Sequence, residues 1–499
     1  MADTFHNYVN GEWVESSSGE TFESVEPADP SRTLGEFQDS NEEDVQEAVE
    51  AAVAAQEEWR ALSRIDRAQY LKEFFIELDK REEELGELVS RECGKEIAEG
   101  KADVVEASHM ARYAFGLSRH PTGEVVESEI PAKDSYVHRK PVGVVGSIKP
   151  WNFPIALPLW DIAITLEEGN TMVFKPAEQT PKCGVRILEI FDEIGLPDGV
   201  LNLVTGHAEA GGAVVEHPDV DSILFTGSCE VGHEILEKAE GMRGKQATCE
   251  MGGKNGIIIT ENADLDTAVN SAVISAFKTT GQRCVSTERL IVHEDILPEF
   301  RDKFVAVTEQ ISVGHPVEED VFMGPVIDEQ AVEKITMWNE KVRDHDDCEV
   351  LVDREDIEKE DYPDARFIGP FVYECEYDPA NPVLHQEVFG PHCAIIPYQD
   401  FDEAIRIHNN TEYGLAFSII TEDYKEARKA RQECEFGVGY HNLPSIGAEV
   451  HLPFGGVKQS GSGISAGKDI INAVTERASW TVNHEDDIQM AQGLDIDMD

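Results

Sequence analysis

A chain of 499 residues is longer than one compact core accommodates, so two or three packed domains are expected, and a hydrophobic content of 41 % is enough to fill them. Lys and Arg number 42 against 99 Asp and Glu, a net charge of −57, which sets the chain against nucleic acid and anionic membrane as partners. So acidic a surface repels itself in dilute buffer, but the Debye length shrinks to about 3 Å near 1 M salt, and the expectation is a protein that works in molar salt, as in a salt-accumulating archaeon.

In chain order, the opening residues MADTFHNYVNGEWVESSSGE lack the basic and apolar regions of a signal peptide. From about 41 to 120 the apolar residues recur at helical spacing: Ala48, Val49, Ala51, Ala52, Val53 and Ala55, then Tyr70, Leu71, Phe74, Phe75 and Leu78. Residues 122–141 change character, with Val125, Val126, Ile130, Tyr136 and Val137 around turn chemistry at Pro131–Asp134, and predict a hairpin. Between 141 and 255 short apolar runs (Val142–Ile148, Met172–Phe174, Val200–Val204, Ile223–Phe225, Ile257–Ile259) alternate with helical patterns at Gly184–Ile194 and Ala208–Glu216. That alternation predicts βαβ units and a parallel sheet, a platform for a dinucleotide. Leu265–Phe277 is an amphipathic helix, a second α/β region follows to about 460, and a β-prone stretch at Ala478–Val482 precedes an acidic tail. No run reaches the ~18 apolar residues of a membrane span. Nine scattered cysteines, without CxxC or zinc spacing, read as reduced thiols of a cytoplasmic enzyme with no metal site.

Several short motifs carry possible chemistry. Phe225-Thr226-Gly227-Ser228-Cys229-Glu230-Val231-Gly232 leaves a predicted strand and opens a helix, so its N–H groups could face an anion; an ordinary strand-to-helix turn is the plain alternative. Cys284, in Gly281-Gln282-Arg283-Cys284, has Arg283 beside it to favour thiolate, the plain alternative being an inert cysteine. Glu250 precedes two glycines that let backbone come close; alone it would read as one more solvated acid. Asn152, between Pro150 and Pro154, could simply be a turn residue. Gly461-Ser462-Gly463-Ile464-Ser465-Ala466 matches G-x-G-x-x-A but follows no strong strand, and reads as a chance match.

Taken together and in order, Pro150–Pro154, Phe225–Gly232, Glu250–Lys254, Gly281–Cys284, Glu387-Val388-Phe389-Gly390-Pro391 and Pro453-Phe454-Gly455-Gly456 resemble the aldehyde dehydrogenase superfamily over nearly the whole chain. The resemblance implies an α/β fold. Its parts would be a Rossmann-like cofactor domain (1–121 and 142–252), a catalytic domain (253–460) and a small β oligomerisation arm (122–141 with 470–490) that makes a homodimer or homotetramer. It also implies roles. Cys284 would attack the aldehyde carbon, Asn152 would hold the oxyanion, and Glu250 would activate the water that cleaves the thioester. Lys175 and Glu178 would hold the adenosine ribose of NAD or NADP, with a lean toward NAD because a carboxylate repels a 2′-phosphate. Trp151, Gly227, Ser228 and Gly232 would form the pyrophosphate turn, Glu387 would bind the nicotinamide ribose, and Phe389 would pack near the ring.

Departures from the family pattern are Asp161 after Trp160, where a lysine is usual; Ile164-Thr165-Leu166 for Pro-Ala-Leu; and Gly463-Ile464-Ser465 for Gly-Arg-Glu. The stretch Asn442–Pro453 resembles the substrate loop of 2-oxoglutarate semialdehyde (2,5-dioxopentanoate) dehydrogenases of pentose and sugar-acid breakdown, which makes Asn442 and His451 substrate candidates. That substrate is a small anionic aldehyde, for which Arg283 is the candidate positive pole unless a nearby acid neutralises it. Succinate semialdehyde, a broad range of aldehydes, a CoA-acylating reaction and a non-enzymatic role are the competing readings. The presence of Glu250 counts against the CoA-acylating reading, and that of all three catalytic candidates against the non-enzymatic one.

Overall fold

The computed structural model describes residues 3–357, 360–463, 467–486, 488–490 and 492. The predicted helical region is four helices, Glu42–Ala61, Arg64–Asp79, Glu82–Cys93 and Ile97–Leu117. The first is opened by a reciprocal cap, the Asn41 side chain accepting from the Asp44 N–H while the Asp44 carboxylate accepts from the Asn41 N–H. Their apolar faces pack on the helix Ala156–Glu167 and the first of two seven-stranded sheets.

That sheet runs Gln246–Glu250, Ser222–Thr226, Val144–Ile148, Thr171–Lys175, Leu201–Leu203, Asn7–Val9, Glu12–Val14. The first five strands are parallel and the N-terminal hairpin closes the edge antiparallel. The second sheet runs Cys348–Asp353, Phe371–Cys375, His392–Tyr398, Thr287–His293, Asn255–Ile259, Ala416–Ile420, Val438–His441, all parallel except the first. Strands buried on both faces read as continuous apolar runs, which is why Ile257, Ile258 and Ile259 stand side by side at 0 % exposure.

The hairpin prediction holds for Glu124–Glu127 and Lys133–Pro141, joined by Thr475–Asn483 into a three-stranded antiparallel sheet. This arm projects apolar side chains into solvent, with Val125 81 % and Trp480 62 % exposed. Among the described residues no helix is long and apolar enough to cross a membrane. Ile464 and Ser465, where the sequence departs from the Gly-Arg-Glu pattern, lie outside the described residues.

Candidate active site

Cys284 sits where the backbone is least regular. The helix Leu265–Phe277 starts on Asp264, whose carboxylate accepts from the Thr267 N–H. After it, Thr279, Thr280 and Gly281 are all left-handed, at φ 53°, 56° and 69°. For β-branched threonines that conformation costs of order 1–3 kcal/mol each, so contacts must hold it. Glu99, from the helix Ile97–Leu117, accepts from the Thr279 N–H (3.0 Å) and hydroxyl (2.7 Å) and pairs with Arg283. The Thr280 hydroxyl donates to the Gly324 carbonyl at 3.0 Å. At Gly281 a Cβ would come within 2.1 Å of the Gly390 carbonyl oxygen, so only glycine fits. Beyond the turn, Asn255 Nδ2 donates to the carbonyls of Cys284 (2.7 Å) and Ser286 (2.8 Å), tying the nucleophile segment to the neighbouring strand.

Cys284 opens on a cleft of about 210 Å3 that Asn152, Gly227, Ser228, Glu387 and Phe389 also line. Asn152 follows the strand Val144–Ile148, is 4 % exposed, and donates one Nδ2 hydrogen to the Gln282 carbonyl at 3.1 Å. An amide nitrogen carries two donors, and this bond uses one of them. Glu250 ends the strand Gln246–Glu250 and is 1 % exposed, with the Gly456 N–H donating to its Oε2 at 3.3 Å. It lies close enough to Cys284 to push the thiol up electrostatically. Burial first, then Glu250 and Glu387, raise Cys284 to about 12, while Arg283 pulls the other way. Arg283 thus acts in the expected direction, toward thiolate, but it is paired with Glu99 and is outweighed by burial and the charges of Glu250 and Glu387. Ionisation needs positive charge brought into the cleft or transfer of the proton to a base.

The opposite wall is built from βα turns. Ser228 caps the helix Cys229–Glu240, its hydroxyl accepting from the Val231 N–H at 3.3 Å, so that helix N-terminus borders the cleft. Gly232 packs under Met251, where a Cβ would stand 2.4 Å from the sulfur; its place is in the helix–sheet contact, not the cleft lining. Lys175, 5 % exposed, lies 3.3 Å from Glu178 at the end of the strand beside Val144–Ile148. Trp151 meets Phe389 edge-on at 5.8 Å. Glu387 accepts from the Gly253 N–H at 2.8 Å and lies on Gly252, where a Cβ would meet its oxygen at 2.2 Å. Burial, then Glu288, push Glu387 up to about 7, against Lys334. Phe389 is left-handed at φ 62°, held by the buried Glu288 carboxylate, which accepts from the Val388 and Phe389 N–H groups and pairs with buried Lys254. Glycines that bring backbone against the cleft, a helix N-terminus and a carboxylate at the far end fit a dinucleotide.

Two substrate candidates fall elsewhere. Asn442 is left-handed at φ 55°, its Oδ1 accepting from the Thr421 N–H at 2.9 Å and its amide donating to Glu422. It closes the end of the strand Val438–His441, where asparagine tolerates the left-handed turn, and is not among the residues that line the cleft. His451 pairs with Glu449 at 3.3 Å on a separate surface cleft of about 790 Å3, shared with Lys101, Glu106, His109 and Arg112. Asp161 is buried and pairs with Lys149 at 2.6 Å, and Lys149 also donates to Thr226 at 3.0 Å. A lysine just past the preceding strand thus partners the acid that stands where the family has lysine. Of the Gly461–Ala466 match, Gly461 bridges to Glu250 and Ser462 bonds Cys249 through both its N–H and its hydroxyl, while Ile464, Ser465 and Ala466 lie outside the described residues. Sequence reasoning missed Glu99, Glu288 and Lys149, which look like any other charge in so charged a chain.

A chain with this two-sheet α/β architecture, and with Cys284, Asn152 and Glu387 on one cleft, belongs to the aldehyde dehydrogenase family, whose pattern it matches over residues 13–479. Among characterised relatives, it is 36 % identical over 477 residues to an alpha-ketoglutaric semialdehyde dehydrogenase of Bacillus subtilis, covering 95 % of this chain and 97 % of that protein. It is 37 % identical over 463 residues to an alpha-ketoglutarate semialdehyde dehydrogenase of Haloferax volcanii, covering 93 % and 95 %. Among solved structures, the betaine aldehyde dehydrogenase of Staphylococcus aureus in complex with NAD+ superposes with a TM-score of 0.94 at 29 % identity, over 99 % of this chain and 97 % of that one.

Proposed function

We propose that the chain oxidises 2-oxoglutarate semialdehyde to 2-oxoglutarate with NAD or NADP, through a thioester on Cys284. The observation that carries this reading is the single cleft shared by Cys284, Asn152, Ser228 and Glu387, with Glu250 at its edge. Cys284 sulfur adds to the aldehyde carbon. The free Asn152 N–H and the Cys284 N–H hold the resulting oxyanion, one such donor being worth about 3–4 kcal/mol. A nicotinamide ring, when bound, supplies the acceptor for the hydride. Glu250 then takes a proton from the water that cleaves the thioester. Trp151, Gly227 and Ser228 would hold the pyrophosphate, Lys175 and Glu178 the adenosine ribose, and Glu387 the nicotinamide ribose.

The names of the Bacillus and Haloferax relatives support the substrate. On the separate surface cleft Lys101, Arg112 and His451 each pair with an acid (Glu83, Asp79 and Glu449), and Glu106 there lies close enough to Arg283 for their charges to couple. The domain division given above (1–121 with 142–252, 253–460, and the arm 122–141 with 470–490), a cytoplasmic location and a homodimer or homotetramer joined through the arm belong to the same proposal.

The test is a panel of 2-oxoglutarate semialdehyde, succinate semialdehyde and propanal with each cofactor, in dilute and in molar KCl, following reduced nicotinamide. The expected result is highest kcat/KM with 2-oxoglutarate semialdehyde, no need for CoA, and activity that falls in dilute salt. Preference for propanal, or dependence on CoA, would reject the substrate or the hydrolytic reaction.

A further inference from the structure

Away from the cleft, two of the nine cysteines face each other. The outermost strand of the second sheet, Cys348–Asp353, runs antiparallel to Phe371–Cys375, and the register sets Cys348 directly opposite Cys375. One amide touches both sulfurs: Asn381 Nδ2 lies 3.5 Å from Cys375 Sγ and 3.9 Å from Cys348 Sγ. Asn381 is itself fixed, its Oδ1 accepting from the Val383 N–H at 3.2 Å to cap the turn Pro382–Leu384.

The two thiols differ in access. Cys375 is 1 % exposed, whereas Cys348 is half-buried on the sheet's edge, so a small oxidant reaches one sulfur with the other waiting behind it. Directly opposed residues on antiparallel strands hold their Cβ atoms about 4.5–5.5 Å apart, and a disulfide needs about 3.5–4.5 Å. The register slips between Val350 and Val352, and an irregular edge strand accommodates that small approach more readily than an interior one.

We propose that Cys348 and Cys375 form an oxidisable dithiol that a peroxide closes into an intramolecular disulfide, clipping the edge strand to the sheet. The Cys348 sulfur attacks the peroxide O–O bond, becoming a sulfenic acid and releasing water. The Cys375 sulfur then displaces the hydroxyl as a second water and forms the S–S bond. Two thiols and one hydrogen peroxide give one disulfide and two waters, each sulfur losing one electron. The hydrogen bond from the Cys375 thiol, opposed by burial and aided by Asn381, holds Cys348 below the ordinary thiol range and so favours the attacking thiolate. This site is independent of the aldehyde chemistry.

The experiment treats full-length, folded Cys284→Ser protein with hydrogen peroxide, so that the cleft thiol cannot exchange. Acid quench, alkylation without reduction and peptide mass spectrometry follow. The expected product is a Cys348–Cys375 linked peptide pair, lighter by two hydrogens than the separate thiol peptides and restored by dithiothreitol. In a Cys375→Ser chain, Cys348 should instead yield a sulfenic acid that dimedone traps. Both cysteines remaining alkylatable after peroxide, or Cys348 linked to a different cysteine, would overturn the proposal.

Discussion

The two walls of the cleft are built on opposite principles. On the cofactor side, parallel strands end and helices begin, and the residues that line the cleft are those that such ends always present: Trp151 and Asn152 after one strand, Gly227 and Ser228 after the next. On the Cys284 side, and at Phe389 facing it, the backbone is held in conformations it would not adopt alone, with buried carboxylates fixing Thr279 and Phe389 and the Gly324 carbonyl fixing Thr280. Glu99 clamps the turn before Cys284, and Glu288 clamps the turn that carries Glu387 and Phe389. Regular strand ends and helix starts build one wall; tethered irregular turns hold Cys284 and Phe389.

The largest effect that should distinguish the walls is on stability. Glu99→Gln leaves the Arg283 guanidinium without its acid, and loss of one member of a buried pair costs about 3–5 kcal/mol. A urea midpoint unchanged from the parent would show that the nucleophile turn does not depend on this clamp. Burial pushes the Glu99 carboxyl up, but Arg283, Thr279 and Lys278 outweigh it and hold it below 4.5. Its contribution is therefore complete above that pH and is lost as pH falls through the folded value.

Asn152→Ala strikes the other wall, where the fold should survive and the chemistry should not. About 10²–10³-fold is expected off kcat, with cofactor affinity and unfolding midpoint near those of the parent. A change in KM alone would assign Asn152 to binding and not to the oxyanion.

The smallest effect expected is a pH dependence at Glu387, raised to about 7 by burial beside Glu288. Here the folded state holds the proton more tightly than the unfolded chain, so between about pH 4.5 and 7 rising pH costs stability. If Glu387 binds the nicotinamide ribose as proposed, the ionised carboxylate is the form that would accept its hydroxyls, so NAD affinity should improve severalfold as pH rises through about 7. Calorimetric titration of Glu387→Gln should show that slope flattened; an unaltered slope would place the titrating group elsewhere.

What the sequence made legible follows the same divide. The strand-and-helix alternation placed four strands of the first sheet, though Ile257–Ile259, read with them, belongs to the second; the helices Ala208–Glu216 and Leu265–Phe277 match the sequence reading to the residue, because burial against a sheet writes a period into the apolar residues. Asn152, Glu250 and Cys284 were visible as motifs. Glu99 was not, because a single buried glutamate among 99 acids has no pattern of its own and only its partners Thr279 and Arg283, some 180 residues away, reveal it. The place of Asn442 at the end of the strand Val438–His441, away from the cleft lining, was hidden for a related reason: strand-end and binding-loop asparagines are identical in sequence and differ only in what they face.

The central claim, that one sulfur, one amide and one carboxylate act on the same carbon, is tested most directly by rapid mixing of Glu250→Gln protein with aldehyde and NAD, followed by mass spectrometry of the quenched enzyme. A stoichiometric burst of reduced nicotinamide, then near-arrest with an acyl group on the Cys284 peptide, is the predicted result. Steady turnover at the parent rate, or a Cys284 peptide that never carries the acyl mass, would contradict it.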